Sequence, residues 1–473
     1  MMGTISDKLM RIINTKEDIR QALISKGYDV PTSIPFKEYA KMISDLPCRV
    51  DSFPDIEGIV ARYSALGLTN EQMAANPVWV DKTGNGHDLQ MKNFAWKEGS
   101  GISDIYPGAL VFDGVDDWAG CDNLPLLPKE KGYSIIALRN WITRYDATQY
   151  KRPLISNLDT NDEGAFLIEY RKDENVNDVT GSYNSFTDVY IDDNNPITWQ
   201  TSSSYNGQII KKGTSKSTNK LCICKTYFGQ LSNYANAAIW ELIILDHDAT
   251  EEELTKIKDY FVKTYPWLFP DQAWTVTGKT NEDEDRATIA NITGNSNDLV
   301  LSNFGFVEGS GYNEEGEYAG YLVTDGVDDK VVSAESIAFT DTWTIITDTV
   351  FLGKVSVASG ILASNIFTVY NYQGSGTIAV TMGEGGSSLR VITSSIKAFS
   401  SDGTIYDAEW NEYHVEIGTI RALERLLKIG TSSNETSYFC QLAFKFLGIY
   451  NNQILSKDDC IKAYNYLQTL KAK

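Results

Sequence analysis

Apolar and polar residues alternate with period two through much of the chain. In GAFLIEYRK, Phe166, Ile168 and Tyr170 fall on one side; in TWTIITDTV, Trp343 and Ile345 do; FTVYNY repeats the pattern at Phe367 and Val369. That period marks strands with one packed and one wet face. Polar clusters such as TGNG, DGVDD, DDNNP and EGG separate the runs. Antiparallel strands on short turns, and so a sandwich rather than a βαβ sheet, are predicted. Two long apolar strands, IWELIILD at 239–246 and AFKFLGIYN at 443–451, each precede a capped helix, read as an appendage. The caps are Thr250 with Glu253, ahead of Leu254, Ile257 and Phe261, and Ser456 with Asp459, ahead of Ile461, Tyr464 and Leu467.

The first fifty residues have helical spacing instead, at Ile5, Leu9, Ile12, Ile19 and Leu23. Thr15 with Asp18 splits this stretch into two short helices, Gly27 ends it, and Pro35-Phe36 opens a third amphipathic turn through Tyr39 and Ile43. About 50 residues is near the limit for a core that stands alone, so docking onto a partner or oligomerisation is expected.

The chain repeats itself. Asp81 to Gly101 aligns without gaps on Asn291 to Gly311, with Thr83, Gly84, Asn85, Asp88, Leu89, Asn93, Phe94, Glu98, Gly99, Ser100 and Gly101 identical 210 residues on. VFDGVDD at 111–117 matches VTDGVDD at 323–329. Both units open alike, at Tyr63, Gly67, Thr69, Asn70 and Trp274, Gly278, Thr280, Asn281. Self-similarity at this scale predicts tandem homologous domains. The boundaries read as a helical module at 1–53 and sandwiches at 54–267 and 268–473.

These features resemble laminin-G-like, or concanavalin-A-like, jelly-roll domains. The likeness rests on D-x-[ST]-G-N-G-x-x-L (Asp81, Thr83, Gly84, Asn85, Gly86, Leu89), on Phe112 to Asp117, and on the closing strand and helix. It implies a mainly β fold of two jelly-roll sandwiches behind a small α-helical module, and says little of function, because this fold hosts lectins, adhesins, glycosidases and spacers. The N-terminal segment is similar to a short module of tailed-bacteriophage structural proteins, through Ile13, Lys16, Ile19, Ala22, Leu23, Lys26, Gly27, Phe36 and Tyr39. That resemblance implies attachment to a virion, with Ile13, Lys16, Ile19, Leu23, Phe36 and Tyr39 as the attachment residues.

Charge narrows the partners. The 473 residues carry 42 Lys plus Arg against 63 Asp plus Glu, a net charge of −21. Without a basic patch this disfavours nucleic acid and an anionic membrane surface, and no apolar run reaches the roughly 18 residues of a membrane span. Residues 1–50 carry 8 basic against 6 acidic groups, so the acidity belongs to the sandwiches and the near-neutral segment is the one suited to docking. Six scattered cysteines give neither a disulfide framework nor zinc spacing, although a strand would point Cys222 and Cys224 to one face. Asp7 and Lys8 stand where a signal peptide needs its apolar core. Synthesis in a host cytoplasm and release by lysis are expected.

Catalytic candidates are few. Trp410, Glu412, His414 and Glu416 would share one strand face, but Glu412 and Glu416 would stand farther apart than the about 5–10 Å of a glycosidase pair. The stretch also resembles a structural W-x-x-x-H-V strand of laminin-G-like domains. Glu282 to Asp285 reads as a solvated loop, and the EF-hand-like start at Asp159 ends in Tyr170, which cannot supply the bidentate carboxylate. Asp113, Asp116, Asp117 and their counterparts Asp325, Asp328, Asp329 could lend oxygens to calcium. A hairpin turn with Gly114 and Gly326 at positive φ explains them as well, so no metal or cofactor is assigned. Asp116, Asp117 and Trp118 form the glycan-binding candidate, since a sugar ring stacks on an exposed Trp.

Taken together, the expectation is a non-enzymatic phage virion protein, a head or tail fibre or decoration. It would be homo-oligomeric, bound to capsid or tail proteins, and would display lectin-like domains to host-surface or mucus glycans. The alternatives are a bacterial cell-surface lectin or carbohydrate-binding protein and, behind it, a polysaccharide-degrading enzyme.

Overall fold

Alternating runs become antiparallel strands from Ile59 to Asn451 in the computed structural model. It describes residues 16, 20, 53–127, 132–143, 151–157, 159, 167–171, 197–201, 218–226, 228–229, 233–353, 359–364, 367–371, 377–382, 388–418, 424–431 and 439–472. The chain divides into two compact units, Met1–Pro54 and Asp55–Lys473. In the first, Lys16 and Arg20 are helical and half-buried. Ile13, Ile19, Leu23, Phe36 and Tyr39 lie outside the described residues.

The second unit is mainly β, two sandwiches in tandem. In the first sandwich one sheet runs in the order Ile197–Thr201, Ser134–Trp141, Asn236–Leu245, Leu110–Asp113, Gly101–Ile102, with Ile59–Ser64 also paired to Asn236–Leu245. The facing sheet runs Val78–Trp79, Leu89–Lys92, Trp118–Cys121, Leu221–Ile223, Lys151–Ser156, Leu167–Arg171. The second sandwich is built on Leu442–Asn451 paired with Trp343–Phe351, Tyr321–Val323 and the opening strand Gln272–Thr275. Its facing sheet includes Leu299–Ser302, Lys330–Ser333 and Phe367–Asn371. In both sandwiches the first strand pairs with the last, so folding must close a loop of nearly the whole domain before that contact forms. Each sandwich has its own apolar core, one around Trp79, Phe112, Ile155 and Ile239, the other around Trp274, Trp343, Phe367 and Phe444.

The long strands read as continuous apolar runs because both their faces are covered. In Asn236–Leu245 an irregularity in pairing between Ile239 and Glu241 puts Ile239, Leu242 and Ile244 into the core. Trp240 and Glu241 turn the other way, towards helices. Three α-helices are described in this unit: α1 (Asn70–Ala75), α2 (Glu251–Thr264) and α3 (Lys457–Thr469). The capping box of Thr250 and Glu253 opens α2, and Ser456 accepts the Asp459 amide at the start of α3. Helix α2 buries Ile257, Tyr260 and Phe261. Its Tyr260 and the following Tyr265 donate to Glu241 Oε1 at 3.0 and 2.7 Å, and Arg62 holds the same carboxylate at 3.3 Å.

The closing helices are not appendages. Helix α3 buries Cys460, Ala463, Tyr466 and Leu467 rather than an Ile461/Tyr464/Leu467 stripe, because it packs on both sandwiches. Tyr464 meets Phe446 of its own sandwich, while Tyr466 stands edge-on to Trp240 of the first, with ring centroids 6.2 Å apart. Asn465 donates to Asp104 O, and the Lys462 ammonium lies 4.7 Å over the Trp267 ring.

Two further expectations change. Cys222 and Cys224 do not share a face: the strand ends at Ile223, and Cys224, at φ 57, turns into the core beside Leu221 and Ile223. Trp410 is not on a strand with Glu412 and His414. It takes φ 63 in a turn and packs on Tyr464 under the Lys397 ammonium, while Glu412 and His414 are exposed on Glu412–His414. No helix among the described residues is long and apolar enough to cross a membrane.

Candidate functional site

Two crossings between sheets meet at one edge of each sandwich. Leu89–Lys92 and Gly101–Ile102 belong to opposite sheets, so residues 93–100 carry the chain across. Leu110–Asp113 and Trp118–Cys121 also belong to opposite sheets, so Gly114 to Asp117 carry it back. DGVDD is therefore a sheet-to-sheet crossing and not the hairpin its turn chemistry suggested. The second sandwich repeats the pair at 303–310 and 326–329.

Glycine is required at the start of the return crossing. Gly114 and Gly326 both take φ 76, and a Cβ there would stand 3.0 and 2.9 Å from the backbone nitrogens of Asn236 and Gln441. The next step is set by one carboxylate. Asp113 Oδ1 accepts the amides of Val115, Asp116 and Asp117 at 2.8, 3.2 and 3.3 Å, and Asp117 Oδ2 accepts the Asp113 amide at 3.0 Å. Asp325 and Asp329 make the same bonds in the second copy, at 2.7, 3.3, 3.5 and 2.8 Å. The outgoing crossing is tied to this turn by Asn93 Nδ2 to Asp116 O at 3.0 Å and Asn303 Nδ2 to Asp328 O at 2.9 Å. Asn93 and Asn303 are left-handed, as Asn tolerates, but so are Trp96 and Phe306, at φ 52 and 51. A bulky residue held there is strained backbone, kept because the surrounding bonds over-determine it.

The turn sorts its residues by direction. Asp117 and Asp329 are fully buried, whereas Asp116 and Asp328 are exposed, with Val115 and Val327 beside them 71% and 70% exposed. Burial pushes the Asp117 carboxyl up to about 6 against the pull of the Ser100 hydroxyl and the Asp113 amide. Asp329 is pushed to about 6 for the same reason, against the Asp325 amide and Ser310.

Trp118 begins the next strand and points off the outer face of its sheet, opposite to Ala119 and Cys121 in the core. It is half-buried, with the Lys225 ammonium 4.1 Å over its ring and Phe228 edge-on at 5.7 Å. Lys225 is itself buried, which lowers its pKa. Asp116, Asp117 and Trp118 thus look in three directions: Asp116 into solvent, Asp117 inward, Trp118 onto a lysine.

Sequence reasoning did not pick out Val115 and Val327, although a valine between Gly and Asp in both copies was the available signal. The motif at Asp81 and Thr83 is scaffold. Asp81 Oδ1 accepts from Arg62 N, Thr83 N and Thr83 Oγ1, and Asn291 replaces it in the second copy. In the acidic loop, Lys279 pairs with Asp285 at 2.7 Å and Thr280 donates to Asp283. Most of 159–170 lies outside the described residues.

No protein-family model and no curated protein matches the chain. Among solved structures, half of it matches a Trypanosoma rangeli sialidase in complex with sialic acid at 11% identity, with a TM-score of 0.29, covering 41% of that chain. The binding domain of botulinum neurotoxin DC in complex with rat synaptotagmin II matches 42% of the chain at 12% identity, with a TM-score of 0.29, over 52% of its own length. The chain thus spans about two fifths of the sialidase and about half of the toxin domain. The expectation that the protein is not an enzyme is corrected: the matched structures include sialidases, which are enzymes, so catalysis is not excluded. The likeness is too slight to give any residue here a part in it.

Proposed function

We propose that the chain is a structural protein of a tailed-phage virion, held to capsid or tail proteins and to its own copies through residues 1–53. Its tandem sandwiches face host-surface or mucus glycans, with the sheet-crossing turns as the contact points. The observation that carries the glycan reading is the repeated exposed pair, Val115 with Asp116 and Val327 with Asp328, at corresponding places in both sandwiches. A sugar ring offers both an apolar C–H face and hydroxyl donors, and an aliphatic side chain beside a carboxylate is complementary to that surface. Asp117 holds the turn beneath, and Trp118 borders it. Two such turns on one body allow bivalent attachment, which raises avidity without new contacts.

The virion part draws its support from the N-terminal resemblance, in which Lys16 is a helical position. Mass spectrometry of purified particles tests it, and a particle lacking the chain overturns it. For the glycan part, the full chain is presented to immobilised host polysaccharides, scoring retention and cleavage. Retention is expected, and its absence across host and mucus glycans sinks the reading.

A further inference from the structure

We propose that Trp96 is a sugar-stacking platform in the first sandwich, and that its ligand is a hexopyranose with at least one face clear of axial hydroxyls, as in glucose or galactose. This deepens the glycan reading above and rests on it. Two bonds to one serine fix the backbone. The amides on either side of Trp96, those of Ala95 and Lys97, donate to Ser100 Oγ at 2.8 Å and to Ser100 O at 3.0 Å. Gly305 and Val307 donate to Ser310 in the same way, at 2.8 and 3.1 Å, around Phe306. Trp96 and Phe306 therefore share the left-handed conformation, at φ 52 and 51. The Ser100 hydroxyl also bonds the Asp117 carboxylate, so the platform is tied to the turn that carries Val115 and Asp116.

The two rings use that position differently. Phe306 is covered: the Arg286 guanidinium lies 5.1 Å over its ring, and Tyr312 and Phe304 stand 6.4 and 6.0 Å away. Trp96 is half-buried, and its one ring partner among the described residues is Phe94, stacked at 4.9 Å and 18° from parallel. Phe94 is backed in turn by the buried Phe112, edge-on at 5.1 Å. The Trp96 indole N–H is not buried and bonds no group among the described residues. Glycine or asparagine would relax this backbone, so an unbonded indole is the costly choice, and strain of this kind gathers at ligand sites. The indole offers a flat apolar surface to a sugar's C–H face, and its free N–H can donate to a hydroxyl or ring oxygen. Trp118, by contrast, has its ring under Lys225.

The test is calorimetric titration of the full chain with soluble cello-oligosaccharides and galacto-oligosaccharides, and wild type should bind at least one of the two. Trp96→Asn removes the ring but suits the left-handed backbone. It should keep a cooperative unfolding transition while affinity falls about tenfold, the loss of one good stacking contact. Trp96→Tyr keeps a ring and should recover most of that loss. Phe306→Asn makes the same backbone change in the second sandwich and should leave affinity unchanged. Equal affinity in folded Trp96→Asn, or an equal loss in Phe306→Asn, overturns the proposal. A wild type that host polysaccharides retain but that binds neither oligosaccharide overturns the sugar class, whereas a wild type retained by no glycan overturns the glycan reading itself.

Discussion

Tyr466 of α3 is the place to test whether the two sandwiches are one cooperative body. Its ring is 1% exposed and meets Trp240, which is fully buried and donates its indole N–H to Pro107 O at 2.9 Å. Tyr466→Ala removes a large buried ring across the junction, a change that costs about 3–5 kcal/mol in well-packed sites. The part belonging to the ring pair itself is smaller, about 0.5–1.5 kcal/mol, and a double-mutant cycle with Trp240→Ala isolates it. Calorimetry of the full chain is the assay. Wild type should unfold the 55–473 body in one transition. Tyr466→Ala should lower that transition and split the two sandwiches apart, because the helix that closes the second is also the cover of the first. A coupling energy near zero, with each variant lowering only its own sandwich, would refute the reasoning.

Two other outcomes follow from buried and half-buried charge. Glu241→Leu takes away the acceptor shared by Arg62, Tyr260 and Tyr265 and should cost about 3–5 kcal/mol in urea unfolding. Arg62→Met with Glu241→Leu should recover much of that, and a strictly additive double variant argues against the network. At the start of α2, burial pulls His247 down, but hydrogen bonds to Asp246 and Glu253 outweigh it and raise its pKa. Its contribution is therefore complete below the unfolded value of about 6.5 and is lost as pH rises through the higher folded value. Melting temperatures at about pH 5.5 and about pH 8 should converge in His247→Asn relative to wild type, and an unchanged gap contradicts the assignment.

Much of the fold was legible because it rests on period and repetition. Trp343 and Ile345 alternate into the core as read, Thr250 and Glu253 cap α2 as read, and the repeat from Asp81 to Gly101 recurs as matching crossings. What escaped was set by tertiary context. Trp240 and Tyr466 meet only because α3 reaches back to the first sandwich, which no local pattern encodes. Trp410 and Cys224 leave their strands through left-handed backbone at residue types that rarely adopt it. The candidate site was half legible. DGVDD drew attention by recurring, but alternation could not show that Asp117 turns inward, that Lys225 covers Trp118, or that the exposed partner of Asp116 is Val115.

The central claim is that two equivalent turns bind glycan together. Its most direct measurement is the affinity of the full chain for immobilised host polysaccharide in wild type, Val115→Ser, Val327→Ser and the double variant, with the carboxylates intact. Each single variant should reduce avidity by roughly 10²-fold as bivalency is lost, and the double variant should abolish retention. A double variant that binds like wild type would contradict the account.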